Sequence, residues 1–172
     1  RSLFPAPLVS TTLAASAILD LGNEAQKERW LPRIADGSCI GTLAWVEAGD
    51  RWGPAGIQLR GEADGDGFLL QGEKRFVPDG AQANLAIVAF RSGDGDSDLG
   101  LALVELKAPG VSVEDVRTLD RTKRLATLKL GGVRVGPDAI LGRTGAVAGA
   151  IARLLDRGAI AITAEIIGSS EA

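Results

Sequence analysis

Residues 22–56 read GNEAQKERWLPRIADGSCIGTLAWVEAGDRWGPAG, and this passage decides the architecture around it. Asn23 is placed to accept the first free amide of a helix. Gln26, three residues on, can reach back in a capping box, and Glu24 sits where the helix dipole favours an anion. A helix is therefore predicted to start at Asn23, with Pro32 and then Gly37 discouraging its continuation. Residues Cys39 to Val46 are apolar too densely for a solvated edge, which predicts a strand buried on both faces. That strand opens into a loop of Gly, Trp and Pro. A glycine-rich backbone carrying an aromatic side chain can approach a flat ligand closely, so the junction is a candidate binding floor.

Outward from this passage, Leu8, Leu13, Ala17, Ile18 and Leu21 fall near helical spacing behind Pro5 and Pro7, predicting a first helix from Pro5 to Leu21. From Ser38 to Leu141 the pattern changes to short β runs: Ile57 to Ala63, Phe68 to Gln71, Lys74 to Val77, Leu85 to Arg91, Leu99 to Leu106, Val111 to Arg117, Leu125 to Leu130 and Val133 to Val135. Asp64-Gly65-Asp66-Gly67 supplies a tight hairpin and the stretch from Gly93 to Asp98 a longer one. Helical spacing returns after Thr144, through Val147, Ile151, Leu154, Leu155, Ile162 and Ile166. The expected fold is α+β, an antiparallel β-barrel or sandwich flanked by helices at both ends.

Composition removes several classes of function. The chain has 172 residues, 45% of them hydrophobic, enough to bury a core. A net charge of −3 gives no global basic field for nucleic acid or an anionic membrane. No apolar stretch reaches the roughly 18 residues of a membrane span, and a charged-then-apolar signal peptide pattern is missing; a soluble, cytoplasmic protein is expected. The lone Cys39, set in an apolar run, reads as a small buried hydrophobe in a reducing compartment. Absence of His removes Ser-His-Asp and Cys-His catalysis, His-ligated metal and the commonest general base. Absence of Met predicts an internal segment of a longer protein, with helical material on both sides.

Local motifs are mostly explained by chain geometry. The Asp-Gly stretches lack EF-hand spacing and its terminal bidentate Glu, so turn chemistry suffices and no metal site is expected. Gly142-Arg143-Thr144-Gly145, followed by Gly149, lacks the forms of a phosphate loop and reads as helix entry. Arg117, Arg121, Lys123 and Arg124 cluster locally, either as a solvated loop or as a site for phosphate or carboxylate. Trp30 reads as a core anchor. Trp45 and Trp52, one ending the buried strand and the other in its glycine loop, read either as core or as ligand contacts. Phe76-Val77-Pro78-Asp79-Gly80 closes a second strand in similar style, and two such strand ends can form opposite sides of one pocket.

The ordered set of motifs resembles the acyl-CoA dehydrogenase family. It comprises Gly22 to Lys27 with Trp30-Leu31-Pro32, the strand ending in Glu47, Gly72-Glu73-Lys74 with Asp79-Gly80 and Ala83-Asn84, and Pro109-Gly110-Val111. Leu119 to Leu125, Val133-Arg134-Val135 with Leu141-Gly142, and Leu155-Asp156-Arg157 with Gly168 complete it. The resemblance covers essentially the whole chain. It implies the end of an N-terminal α-helical domain over 1–37, a β-barrel middle domain over 38–142, and the first helix of a C-terminal helical domain over 143–172. It further implies an FAD enzyme that desaturates an acyl-CoA thioester between its α and β carbons and passes electrons to an electron-transfer flavoprotein, in a homo- or hetero-oligomer.

By the same resemblance, Leu43, Trp45, Val46, Trp52, Phe76 and Pro78 contact the cofactor, and Arg51 and Trp52 the substrate. The sequence departs from the family pattern at Val46 and Pro78, where hydroxyl residues are usual, at Ala48, where Pro is usual, and at Arg51-Trp52-Gly53 in place of Gly-Ser-Asp. These departures admit an alternative, a flavin-free structural partner subunit; a related flavin oxidase or monooxygenase is another. No residue of the chain is assigned as catalytic: the base is expected beyond Ala172, and the alternative family position falls on Gly158, which cannot serve.

Overall fold

The computed structural model describes residues 6–49, 51, 53–120 and 122–170. Two helices, α1 (Leu8–Leu21) and α2 (Glu24–Ala35), precede eight strands: β1 (Gly41–Ala44), β2 (Arg60–Asp64), β3 (Gly67–Pro78), β4 (Leu85–Arg91), β5 (Leu99–Glu105), β6 (Val111–Val116), β7 (Leu125–Val135) and β8 (Ile140–Leu141). A long helix, α3 (Ala148–Ser170), follows. The strands form one mixed sheet in the order β6-β7-β3-β2-β4-β5-β8, with β1 added to β4. The path ends at β6 and β8 and does not close into a barrel, so the sandwich form of the expected fold is the one adopted. Most pairs are antiparallel, but β1 and β2 both run parallel to β4.

β4 and β5 are the most deeply buried strands: every residue of β4 and nearly every residue of β5 is buried. Side chains alternate across a strand, and these two strands feed two cores. Leu85, Ile87, Ala89, Leu99, Leu101 and Leu103 pack with Ile18, Trp30, Ile151 and Leu154 of the helices. Ala86, Val88, Phe90, Ala102 and Val104 pack with Leu70, Val77, Leu128, Leu130 and Val133 of the sheet's other half.

The α2 start is as the sequence dictates: Asn23 Oδ1 accepts from Gln26 N at 2.8 Å, and Gln26 Oε1 accepts from Asn23 N at 2.9 Å. Pro32, however, lies inside α2 rather than ending it. Proline removes one ladder donor, and both Pro32 and Glu28, whose carbonyl loses its partner, are exposed, so water can take that bond. Trp30 is the expected anchor, 3% exposed, with the Arg29 and Arg33 guanidiniums 4.7 and 4.9 Å from its ring centre. Cys39 is buried, and burial pushes its thiol pKa up.

Two pairs of expected strands are single elements. Phe68 to Gln71 and Lys74 to Val77 are one bulged β3, whose register against β7 shifts at Leu70/Gln71 and at Lys74/Val77. Leu125 to Leu130 and Val133 to Val135 likewise form one β7. Glycines read as breaks between strands are here the residues that let a strand bend without ending.

Candidate functional site

The junction singled out by the sequence follows from how one edge of β4 is shared. β1 pairs with it over Leu85 to Val88, and β2 rejoins it only at Arg91 through Arg60. The chain from Trp45 to Leu59 therefore leaves the sheet between two parallel neighbours and must return. Its backbone amides need partners that no strand supplies.

Glu47 provides them. Its carboxylate accepts from Gln58 N through both oxygens and from Leu59 N, each at 3.0 Å, closing the excursion at its base. Lys74, fully buried, donates to Glu47 Oε1 at 2.5 Å and to the Trp45 carbonyl at 3.4 Å. Desolvation lowers the Lys74 pKa to about 8, the Glu47 charge working against that shift. A second buried cation holds the far arm: Arg91 donates to the carbonyls of Ile57 at 3.0 Å and Pro54 at 3.4 Å. The sequence places Glu47, Lys74 and Arg91 at strand ends or in a motif but assigns none of them a role in holding this loop; the inward phase of β3 at residue 74 reveals the buried cation.

The ends of β1 and β3 lie alongside one another. Thr42 Oγ1 donates to the Pro78 carbonyl at 2.6 Å, and Arg75 N donates to the Val46 carbonyl at 2.7 Å. Leu43, Trp45, Val46, Phe76 and Pro78 are thereby gathered into one neighbourhood. Leu43 is half-buried, Trp45 and Val46 are each 9% exposed, and Phe76 is 45% exposed. Phe76 has φ of 51°, a left-handed conformation that costs a bulky residue about 1–3 kcal/mol and sits at the register shift of β3. Arg51 is exposed, its carbonyl packed so closely on Gly56 that a Cβ there would lie 2.1 Å away. Trp52 lies outside the described residues.

The hydrogen-bonding capacity of this neighbourhood is narrow. Val46 and Pro78 offer no side-chain donor, and the Thr42 hydroxyl is already given to Pro78. The Trp45 indole N–H is buried and finds no acceptor among the described residues. Apolar side chains beside a displayed aromatic ring, with one unpaired buried donor, fit a flat, mostly apolar ring system edged with acceptors.

Next to Pro78 an open recess of about 600 Å³ is lined by Asp79, Gln82, Arg117, Thr118, Lys123 and Arg124 among others. It takes in three of the four clustered basic residues; Arg121 is outside the described residues. Lys123 pairs with Glu165 of α3, and Ser10 Oγ of α1 donates to Asp79 at 2.6 Å.

Residues 42–130 match the family model described as acyl-CoA dehydrogenase, middle domain, and residues 2–38 the N-terminal domain model of the same family. The chain belongs to the acyl-CoA dehydrogenase family. It is 28% identical over 170 residues to the short-chain specific acyl-CoA dehydrogenase of Bos taurus mitochondria, covering 95% of this chain and 41% of that protein. The structure matches butyryl-CoA dehydrogenase from Megasphaera elsdenii with a TM-score of 0.87 and 26% identity, over 95% of this chain and 44% of that one. It also matches a glutaryl-CoA dehydrogenase from Mycobacterium smegmatis in complex with FADH2, with a TM-score of 0.76 and 28% identity over 87% and 39% of the two chains. The chain thus spans about two fifths of the relatives it matches. Within the family frame Gly158 is buried, and a Cβ there would meet Leu13 Cδ1 of α1 at 3.4 Å, so its face of α3 is committed to helix packing. Among the described residues no helix is long and apolar enough to cross a membrane, and no cluster of His, Cys, Asp and Glu could hold a metal.

Proposed function

We propose that this chain forms the flavin-bearing middle part of an FAD-dependent acyl-CoA dehydrogenase. Residues 1–37, 38–142 and 143–172 belong on this reading to the N-terminal helical, middle and C-terminal helical domains. The observation that carries it is the braced excursion from Trp45 to Leu59 beside the displayed Phe76, in a chain of this family. FAD, when bound, accepts the hydride leaving the β-carbon of the acyl thioester. Leu43, Val46 and Phe76 would supply apolar contact to its ring, with Pro78 and Trp52 at the margins. Arg51 would meet the charged part of an acyl-CoA, and acyl-CoA oxidation would deliver electrons to an electron-transfer flavoprotein.

On this reading the side chains of the segment bind and orient, and none of them is assigned to take the α-proton. Gly158 has no side chain to do so, and Glu165 is engaged with Lys123. The base must come from helical residues further along the protein or from another subunit of a homo- or hetero-oligomer. A second reading, a flavin-free partner subunit, is favoured by the missing hydroxyls at Val46 and Pro78.

One preparation separates them: the intact protein saturated with FAD, freed of unbound cofactor by gel filtration and scanned in the visible. Retained flavin supports the enzyme. A flavin-free product that stays so after Val46→Thr with Trp52→Ser supports the structural subunit. Oxygen consumption during turnover would instead identify an oxidase or monooxygenase.

A further inference from the structure

We infer that the Trp45 indole N–H is the side-chain hydrogen-bond donor this site presents to an acceptor atom of the flavin ring, in place of the hydroxyls that Val46 and Pro78 cannot supply. The inference rests on the flavin reading above. Of Leu43, Trp45, Val46, Phe76 and Pro78, only Trp45 carries a side-chain donor, and that donor finds no acceptor among the described residues. Buried polar atoms in folded proteins are nearly always satisfied, so an orphan of this kind calls for a ligand or a functional explanation. The indole is packed inside rather than turned to water, Trp45 being 9% exposed. Lys74 holds the Trp45 carbonyl, Arg75 N holds that of Val46, and the indole packs in the same core cluster as Val46 and Ile57. A flavin ring, rimmed by carbonyl oxygens and unprotonated nitrogens, carries the acceptors this N–H lacks.

Nε1 is closed off from solvent, so an acceptor that reaches it must displace a neighbouring group.

The test is Trp45→Phe in the intact protein, which deletes the N–H and keeps an aromatic ring. Free FAD is the probe, titrated by flavin fluorescence, and thermal unfolding of the cofactor-free protein is measured beside it. The inference expects FAD affinity to fall by roughly 3- to 10-fold, the visible flavin band to shift, and the cofactor-free protein to melt no lower than wild type, since an unpaired buried donor has been removed. Adding Val46→Thr to Trp45→Phe, which puts a donor back one residue away, should recover part of the affinity. Unchanged affinity and spectrum in Trp45→Phe would overturn the inference while leaving the flavin reading intact. A melting temperature that falls together with the affinity would also overturn it, assigning the indole to packing alone. Failure of the wild-type protein to bind FAD at all would remove the flavin reading itself, and the inference with it.

Discussion

Lys74 is the residue on which the site geometry turns, and its chemistry fixes the sign of two predictions. Its ammonium is fully buried against Glu47, and removing one partner of such a pair leaves an uncompensated charge, typically costing about 3–5 kcal/mol. Lys74→Met should destabilise the protein by about that amount in urea unfolding, and adding Glu47→Gln should recover more than half of the loss. The pH dependence follows from the depressed pKa. Below about pH 8 the lysine is charged in both folded and unfolded chains, and its burial cost is borne in full. Between about 8 and the unfolded value of 10.5 the folded chain has released the proton and the unfolded chain has not, so stability rises with pH across that window. The difference in unfolding free energy between wild type and Lys74→Met, followed from pH 7.5 upward, should therefore widen with pH; a constant difference would show that Lys74 does not lose its proton on folding.

At the scale of elements, α2 and the centre of the sheet are each held by a small number of contacts. Gln26 closes the capping box and also donates to the Asp138 and Ile140 carbonyls, both at 2.8 Å, tying α2 to β8. Gln26→Leu takes the donor from two carbonyls as well as the acceptor from the Asn23 N–H of the cap and should cost about 1–3 kcal/mol, against about 1 kcal/mol for Asn23→Ala, which loses only the cap. In the sheet, Gly61 and Gly100 flank the Phe90 ring, where a Cβ would come within 2.5 and 2.3 Å of it. Gly100→Ala should lower stability by about 1–3 kcal/mol, and Phe90→Leu in the same chain should return part of it. Legibility in the sequence divides along the same line. The capping box, the buried strand at Gly41 to Ala44 and the strand from Leu85 to Arg91 depend on neighbours within a few residues, and local pattern finds them. The parallel pairing of β1 and β2 on β4, the fusion of β3 and β7 across their glycines, and the second role of Gln26 depend on partners dozens of residues away. The site was legible as a place, a strand end meeting a glycine loop, and illegible as a mechanism of support, because Glu47, Lys74 and Arg91 carry no mark of burial in their own segments.

For the whole molecule, the fold sets its candidate flavin site where the ends of β1 and β3 meet and leaves apolar surface exposed elsewhere. Beyond Gly158, α3 exposes Ile160, Ile162, Ile166 and Ile167, between 52% and 70%, which accords with a chain spanning about two fifths of its relatives. On the proposed function, this framework carries a flavin reduced by an acyl-CoA thioester. The measurement that reaches it most directly is the visible spectrum of the intact, FAD-saturated protein, titrated anaerobically with saturated acyl-CoAs from short to long chains. A bound flavin band that bleaches with at least one of them is the predicted result. A protein that retains no flavin, or one whose flavin band stays unbleached across the whole series, would contradict it.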